Sequence, residues 1–460
     1  MSGPGPWQQH VVARLNLVMD NTVRTGFLLR FYLALSRWRW VEALARRHLK
    51  RRLDGGREDP VRFQERLGIP SLPRPEGSLV WMHAVGVGEL LAAPGLIRAM
   101  QTQVPGLQVL LTSTARTSAV VVADNLPPDT RHQFIPLDCK AFVVRFLDHW
   151  HPDLSVWVER DIWPTLVVET WRRGIPLAMV NGRMDATSFR AKQRARGLYS
   201  DLYSRFQSIG VQDPGSAGRF RSLGADEERT WISGSLKSGA VPLADRPDER
   251  VRLQTALADR RFWLAASTHA TDEAMVADAQ LRILRHDPTA LLVIAPRVPG
   301  RAESLCRYFE DRSLSSELAR DGVKPSRDTK VLVVNRIGQL GLWYRLADAA
   351  FVGGSVAGGG HNPYEPARLD CAILHGPCIG NFEADYAKFH THDAARQVSD
   401  GSELAAAILD PGLVAMTRRV DPVLAEGKTI VTDTANRLLR LLRQGYVQHD
   451  PADGATPRAP

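Results

Sequence analysis

Short apolar runs alternate with longer helix-like stretches from about residue 78 to residue 234, and this alternation limits the fold more than any other feature. The runs, all rich in Val, Ile and Leu, read SLVWM, LQVLLTS, LSVWV, PLAMV, SIGV and TWIS. The pattern restarts after the polar stretch PLADRPDER with FWLAAS, ALLVIAPR, KVLVV, AAFVGG and CAILHG. Such alternation is typical of a parallel sheet covered by helices on both faces. We therefore expect an α/β protein with two Rossmann-like, doubly wound domains joined near residues 235–247.

The composition indicates a globular protein of ordinary domains. The chain has 460 residues, 44% of them hydrophobic, which is enough for about two or three domains with real cores. Its cysteines, Cys139, Cys306, Cys371 and Cys378, are too few and too scattered for a disulfide framework or a paired Cys-x-x-Cys metal site. This usage fits a reducing compartment.

The N-terminal segment, residues 1–57, is basic and amphipathic. The chain carries a formal charge of +9, and between Arg14 and Arg52 arginines are interleaved with Phe31, Trp38 and Trp40. No uncharged apolar run there reaches the roughly 18 to 20 residues that span a bilayer. A basic helix with aromatic side chains suits an anionic membrane surface, and the alternative is a helix packed on its own domain. No nucleic-acid-binding motif accompanies the charge, so nucleic acid is not an expected partner.

Unusual polar and glycine-rich clusters follow the predicted strands. In the first half they read HAVGVGE, START, VERDIWP and NGRMDATS, and in the second STHATDE, PRVPGR and GGSVAGGGHNPYEPA. In open α/β sheets, ligands bind where the carboxyl ends of the strands meet loops and helix N-termini. We therefore expect two domains that face a cleft lined by these loops.

The stretch HAVGVGELLAAP, residues 83–94, allows two interpretations. Gly86-Val87-Gly88 could begin a dinucleotide-binding fingerprint, but the next predicted strand ends in TSTART and supplies no acid to hold a ribose. The glycines also suit a sharp turn that brings the backbone close to a ligand. Glu89 would then lie in the first helical turn, either as a catalytic acid or as a residue that complements the helix dipole.

Taken together and in order, these loops resemble those of the 3-deoxy-D-manno-octulosonic acid (Kdo) transferases. The similarity covers about residues 62–400, from RFQERLG through SGSLK to GNFEADY. The resemblance implies a GT-B glycosyltransferase at the cytoplasmic face of a cell inner membrane, in lipopolysaccharide biosynthesis. It would transfer Kdo from CMP-Kdo to a lipid A precursor with inversion, without a metal or another cofactor.

Within that frame the chain divides into four parts and the site residues receive roles. Residues 1–57 would contact the anionic membrane, 58–234 would bind the acceptor, 235–447 would bind the CMP-sugar, and 448–460 would form a disordered tail. By its position Glu89 matches the family's catalytic acid and would act as the general base. The expected donor-binding residues are Lys237, Ser267, His269, Arg297, Gly353, Gly354, Ser355, Asn362 and Glu365, and the expected acceptor- or sugar-binding residues are Gly88, Glu159, Asp161, Trp163 and Arg183.

Several of these residues also have a purely structural interpretation. Asn362 and Glu365 have the spacing of a capping box, Trp163 could be a core residue, and a lone histidine such as His269 is often structural. For the donor group, cations and backbone amides are expected because negative charge develops on the leaving phosphate. Arg183 suits a carboxylate or phosphate because its guanidinium binds oxyanions in a fork.

The sequence departs from the family pattern in the substrate loops. Gly86 stands where the family usually has Ser, Val298 and Gly300 replace His and Glu in the PRVPGR stretch, and Gln339 replaces Glu in IGQLGLWY. Two alternatives therefore stay open. One is a diverged transferase of the same fold with another CMP-activated acidic sugar or another acceptor. The other is a weakly active paralogue that keeps lipid binding.

Overall fold

The chain forms two compact units in a computed structural model. Residue contacts assign Met1–Ala240 and Thr429–Pro460 to the first unit and Val241–Lys428 to the second. The structure describes residues 25–114, 116, 126–159, 162–257, 260–320 and 325–447.

The first unit contains a parallel sheet of seven strands in the order β3-β2-β1-β4-β5-β6-β7. The strands are β1 Leu79–His83, β2 Gln108–Ser113, β3 Thr130–Phe134, β4 Leu154–Val158, β5 Leu177–Gly182, β6 Ser208–Val211 and β7 Thr230–Ile232. The order reverses at β1, since β2 and β3 lie on one side of it and β4 to β7 on the other. A doubly wound sheet binds its ligand at such a reversal, here between the carboxyl ends of β1 and β4.

Helices cover both faces of this sheet. They are α1 Phe27–Leu35, α2 Arg39–Asp54, α3 Val87–Gln103, α4 Lys140–Trp150, α5 Pro164–Arg172, α6 Ala186–Gln193, α7 Arg196–Tyr203 and α8 Pro214–Ser222, with 3₁₀ turns at Phe63–Leu67 and Leu236–Gly239. All five residues of β1 are buried. Leu79 and Trp81 pack into one core cluster, and Val80 and Met82 pack into another. The two-residue period of a strand thus gives β1 two apolar faces, as a parallel sheet requires.

The second unit repeats this architecture with a parallel sheet in the order β10-β11-β9-β8-β12-β13-β14. The strands are β8 Phe262–Thr268, β9 Leu291–Pro296, β10 Ser316–Leu318, β11 Val331–Val333, β12 Ala349–Val352, β13 Ala372–His375 and β14 Ala395–Gln397. The helices are α9 Pro247–Leu257, α10 Ala270–His286, α11 Ala302–Glu310, α12 Leu340–Leu346, α13 Tyr364–Ala367, α14 Glu383–Thr391, α15 Gly401–Leu409 and α16 Asp421–Val447, with 3₁₀ turns at Pro299–Arg301 and Leu413–Val420. Here the order reverses between β8 and β12. The predicted α/β class with two doubly wound sheets is confirmed.

The division into units differs from the predicted boundaries at both ends of the second domain. Residues 235–240 and the C-terminal part of α16, from Thr429, group with the first unit, whereas the sequence prediction placed them in the CMP-sugar domain. The reason is packing. Leu236, Leu438 and Leu439 are buried in the same cluster as Val80 and Met82 of β1.

The N-terminal helices α1 and α2 have one packed face and one exposed face. Leu29 and Leu33 are buried in the core of the first unit, so part of the segment packs on its own domain. Phe27, Phe31 and Trp38 nevertheless keep more than half of their surface exposed, at 78%, 55% and 53%. In the described part of the chain, no helix combines the length and the apolar character that a membrane crossing needs. Residues 1–24 of this segment and the predicted tail, 448–460, lie outside the described residues.

Candidate active site

Polar side chains gather at the carboxyl edge of the first sheet, around the reversal between β1 and β4. Helix α3 begins at Val87, four residues after the end of β1, so Gly88 and Glu89 lie in its first turn. Glu159 directly follows β4, and Asn181 is the penultimate residue of β5. The fold therefore brings residues from the HAVGVGE, VERDIWP and NGRMDATS stretches to one edge.

Glu89 combines the two interpretations that the sequence left open. Its Oε2 accepts hydrogen bonds from the backbone amides of Val85 at 2.8 Å and Gly86 at 3.0 Å, so the side chain does cap the start of α3. Burial, together with the negative charge of Glu159, nevertheless raises the pKa of Glu89 from 4.5 to about 7, against the lowering effect of the two amides. A capping carboxylate would be expected to have a low pKa, so this environment does more than cap the helix.

Glu159 is held between a cation and an amide. The Nζ atom of Lys237 lies 3.1 Å from Glu159 Oε1, and Nδ2 of Asn181 donates to the same oxygen at 3.3 Å. The prediction assigned Lys237 to the donor group and Glu159 to the acceptor group, but the structure joins them in one ion pair within the first unit. The cause is that the 3₁₀ turn Leu236–Gly239 packs on this unit and contacts α3.

His83, the last residue of β1, is an aromatic neighbour of this edge that the sequence analysis did not select. Its ring is buried between Trp157 and Trp163, with centroid distances of 5.4 and 6.3 Å. Nδ1 contacts the carbonyl oxygen of Thr112 at 3.1 Å, while Nε2 has no hydrogen-bond partner among the described residues. Burial lowers the pKa of His83 to about 3. The neutral ring therefore presents an unused acceptor nitrogen beside half-buried Trp163.

Of two further acceptor-side predictions, the structure gives the position of Arg183 and does not describe Asp161. Arg183 directly follows β5 and is half-buried. Asp161 lies outside the described residues, so its predicted role stays a prediction.

In the second unit, Asp272 organises the carboxyl edge around the reversal between β8 and β12. His269 is the N-cap of α10. The Oδ2 atom of Asp272, three residues later, accepts from the backbone amides of His269 and Gly354, both at 2.7 Å. Its Oδ1 accepts from the amide of Val356 at 3.1 Å. One carboxylate therefore ties the start of α10 to the loop that follows β12.

This arrangement changes the expected role of the glycine amides. The amide of Gly353 donates to the carbonyl oxygen of Ala266 at 2.8 Å, and that of Gly354 donates to Asp272. Both amides therefore already have a protein acceptor, and a phosphate contact by them stays a prediction. Gly353 is required for close packing, because a Cβ there would lie 2.7 Å from Cα of Thr268. Ser355 is buried, and its hydroxyl donates to the carbonyl oxygen of Val352.

His361, in the loop that follows β12, faces His269 at the start of α10. The Nε2 atoms of His269 and His361 are 2.9 Å apart, so one donates to the other. Burial, followed by the positive charge of Arg297, lowers the pKa of His361 to about 4.

Arg297 directly follows β9 and its side chain is exposed. Ser267 adopts a φ of 56° where the register between β8 and β9 shifts. Such a bulge re-aims the side chains that follow it.

Asn362 and Glu365 contact each other but do not form the capping box that their spacing suggested, because the N-cap of the short helix is Pro363 and no side chain caps it. Oδ1 of Asn362 accepts from the amide of Tyr364 at 3.1 Å, at the start of the short helix α13. Its Nδ2 donates to Glu365 Oε1 at 3.3 Å. The pair thus lies at the helix start, where the side-chain amide of Asn362 orients Oε1 of Glu365.

The residues missed by the sequence analysis lie within the motifs that it quoted. His83, Asn181, Asp272 and His361 come from HAVGVGE, NGRMDATS, STHATDE and GGGHNPYEPA. At the second edge, Thr268 Oγ1 and Asn335 Oδ1 are also buried and lack a hydrogen-bond partner among the described residues. Their spacing in the sequence does not distinguish these residues from their neighbours, because their roles depend on contacts between distant loops.

Chemically, the two edges offer different functions. The first holds a carboxyl group whose pKa matches proton abstraction near neutral pH, and the second holds an exposed arginine and two imidazole rings beside a helix N-terminus. Within the described ranges, no group of three or more His, Cys, Asp or Glu side chains is arranged to hold a metal ion.

Comparisons with known proteins point to one family. The family model described as 3-Deoxy-D-manno-octulosonic-acid transferase (kdotransferase) matches residues 61–240. A "Probable 3-deoxy-D-manno-octulosonic acid transferase, mitochondrial" of Arabidopsis thaliana is 33% identical over 77% of this chain and 81% of its own length. The 3-deoxy-D-manno-octulosonic acid transferase of Rickettsia bellii is 30% identical over 76% of this chain and 83% of its own length.

Among solved structures, a putative UDP-N-acetylglucosamine 2-epimerase from Listeria monocytogenes aligns with 82% of this chain and 99% of its own chain. The TM-score is 0.52 and the sequence identity 13%. This likeness concerns the fold alone, and it agrees with the two-domain GT-B class expected from the sequence.

Proposed function

The chain belongs to the family of 3-deoxy-D-manno-octulosonic acid transferases, and we propose that it transfers Kdo from CMP-Kdo to a lipid A precursor, with inversion. In this reaction an acceptor hydroxyl attacks the anomeric carbon of Kdo. A new C–O bond forms as the bond to the CMP phosphate breaks, and the hydroxyl proton passes to a base.

The single observation that carries the mechanism is the environment of Glu89. It lies at the reversal of the first sheet, where ligands of doubly wound sheets bind, and its pKa of about 7 is raised by burial and by Glu159. A base is most effective when its pKa is close to the working pH, and its contribution is typically about 10²- to 10⁴-fold in rate. Glu89 in its ionised form would therefore take the proton of the acceptor hydroxyl.

The proposal assigns the donor to the second unit. The exposed guanidinium of Arg297 and the N-terminus of α10 suit a phosphate, and Glu365 would accept hydrogen bonds from ribose hydroxyls. His269 at the start of α10 and His361 in the loop that follows β12 would contact the phosphate or the sugar.

We expect Glu365→Ala to weaken CMP binding by about 1.5 to 3 kcal/mol, the range for a hydrogen bond to a charged group. Calorimetric titration of CMP measures it. Glu303→Ala is the matched control, because Glu303 is an exposed acid on α11 of the same unit. Unchanged CMP affinity in Glu365→Ala would refute its role in nucleotide binding.

The proposal also includes a peripheral contact with the anionic cytoplasmic face of an inner membrane. What supports it is the exposed face of α1 and α2, where Phe27, Phe31, Trp38 and Trp40 stand among arginines. Aromatic rings favour the headgroup level, and arginines are attracted by anionic lipid. A membrane-bound acceptor would then lie near the unit that carries Glu89.

The test is a transfer reaction with purified protein, CMP-Kdo and a lipid A precursor. We expect a product that is heavier by the mass of added Kdo, with NMR showing inverted anomeric configuration. CMP-N-acetylneuraminic acid in place of CMP-Kdo is the control for another CMP-activated acidic sugar. Transfer from that donor alone would refute Kdo transfer, and retained configuration would refute the single-displacement mechanism.

A further inference from the structure

We propose that Asn181 is a positioning residue that holds Glu159 between Glu89 and Lys237. The inference rests on the proposed function only in that Glu89 is taken as the base. The geometry itself concerns four side chains of the first unit and requires no bound substrate.

Asn181 is fully buried and has an unusual backbone conformation. Its exposed fraction is 0%, and its φ of 57° lies in the left-handed region. The register between β5 and β6 shifts between Met179 and Gly182, so Asn181 sits in a bulge at the carboxyl end of β5. Asn tolerates this conformation better than most residues. Bulges and such strained positions concentrate next to active sites, where they aim a side chain.

The side chain of Asn181 makes two hydrogen bonds of opposite sense. Nδ2 donates to Oε1 of Glu159 at 3.3 Å, and Oδ1 accepts from the backbone amide of Leu236 at 2.9 Å. Leu236 directly precedes Lys237, whose Nζ lies 3.1 Å from the same Glu159 oxygen. One amide thus fixes both partners of the ion pair. A carboxylate could not donate to Glu159, and an apolar residue would leave the Leu236 amide without this acceptor.

Glu159 itself is held in a conformation that needs such support. Its φ is 68°, and its amide donates to the carbonyl oxygen of Val180 at 2.9 Å. Glu159 and Asn181, which directly follow the last paired residues of β4 and β5, thus both have a left-handed backbone. This pair of strained positions places a carboxylate next to Glu89 instead of letting it turn to solvent.

The consequence concerns the charge that surrounds Glu89. The titratable groups that face it are Glu159 from the end of β4 and, through Glu159, Lys237 from the 3₁₀ turn, while nearby His83 is kept neutral by burial. A carboxylate held close raises the pKa of its neighbour, and a nearby ammonium offsets part of that effect. If Asn181 fixes Glu159, then changing Asn181 must move the titration of Glu89.

Two variants shift this titration in opposite directions. Asn181→Asp keeps an acceptor for the Leu236 amide but adds a carboxylate beside Glu159. The acidic limb of the pH profile, where kcat/KM falls as the pH decreases, should therefore move up by about one pH unit. Asn181→Gly tolerates the positive φ and releases Glu159, so the limb should move down. Gln212→Ala is the matched control, because Gln212 Nε2 donates to the backbone carbonyl of Asn181, at 3.1 Å, and not to its side chain. Its limb should stay with that of the parent.

A merely structural role predicts a different pattern. Both Asn181 variants would then lower the thermal stability and the rate while the limb kept its position, and that result would overturn the proposal. Movement of both limbs in the same direction would overturn it as well.

The same variants are titrated by ¹³C NMR of labelled glutamate carboxyls, with Glu89→Gln identifying the signal of Glu89. This readout does not need turnover. If the parent transfers no Kdo, the proposed function fails, yet a Glu89 midpoint that shifts as described still supports the role of Asn181. An unmoved midpoint in both variants refutes that role whatever the activity.

Discussion

The carboxyl group of Glu89 shows how one side chain serves both local structure and chemistry. The two amides of Val85 and Gly86 that it caps stabilise its charged form, while burial and Glu159 oppose that form. The opposing terms leave its pKa at about 7. A base that is half ionised near neutral pH makes the reaction rate depend on pH in the working range.

We therefore expect kcat/KM for Kdo transfer to fall as the pH drops through about 7, because the raised pKa of Glu89 means that protonation removes the base there. The activity is fully present above that pKa and is lost below it. Rates measured at about one-unit pH intervals give the limb. In Glu159→Gln the limb should move to lower pH, since one cause of the raised pKa is gone. A flat profile between the ordinary carboxyl range and pH 8 would contradict the assignment.

The sequence identified individual site residues but could not show which of them contact each other. Glu89 could be selected because its position after Gly86-Val87-Gly88 matches the family pattern. The pairing of Lys237 with Glu159 could not be predicted, because the two residues are far apart in sequence and meet only when the 3₁₀ turn packs on the first unit. Asn181 was missed for the same reason: both of its side-chain partners come from other loops.

Among the elements, the central strands were predictable, whereas the edge strands β3, β10 and β14 were not; the edge strand β7, predicted from TWIS, is the exception. β1, β4 and β9 are buried throughout and mostly apolar, and were recognised from their short apolar runs. β3 reads TRHQF, while β10 and β14 have three residues each. β3, β10 and β14 lie at sheet edges. An edge strand contacts fewer neighbours, so its sequence carries a weaker apolar pattern.

The exposed aromatic face of α1 and α2 should bind anionic membranes. Replacing Phe27, Phe31, Trp38 and Trp40 by Ser should abolish flotation with anionic liposomes while the protein stays folded, because these side chains are largely exposed. Removing the whole segment is a poorer test, since Leu29 and Leu33 belong to the core.

The matched control for that experiment is Val251→Ser with Val414→Ser, two exposed apolar positions in the second unit, at 58% and 49%. This pair should float like the parent, and salt should weaken binding because surface charges are screened beyond about a Debye length. Equal flotation of the aromatic variant and the parent would contradict a membrane role for this face.

The C-terminal helix α16 belongs partly to each unit, and its C-terminal part adds apolar residues to the core of the first unit. α16 begins in the second unit, but its residues from Thr429 group with the first. Leu438 and Leu439 pack with residues of β1. The sequence placed this stretch in the second domain because it follows that domain along the chain, and amphipathic periodicity alone does not say which sheet the apolar face covers.

Leu438→Ala should accordingly lower the free energy of unfolding by about 2 to 5 kcal/mol, the range for a buried leucine. Hydrogen exchange should place the loss of protection in β1 and β2. Leu404→Ala, an equally buried leucine of α15, is the control and should affect β8 and β9 instead. Loss of protection confined to the second sheet in Leu438→Ala would contradict the assignment of this helix.

If Glu89 supplies the base for Kdo transfer, the rate of the Glu89→Gln variant must show it. We predict that this variant transfers Kdo at least about 10²-fold more slowly than the parent, since a general base supplies that much or more. Its CMP affinity should be unchanged, because Glu89 acts on the acceptor. A variant rate within about threefold of the parent would contradict the claim.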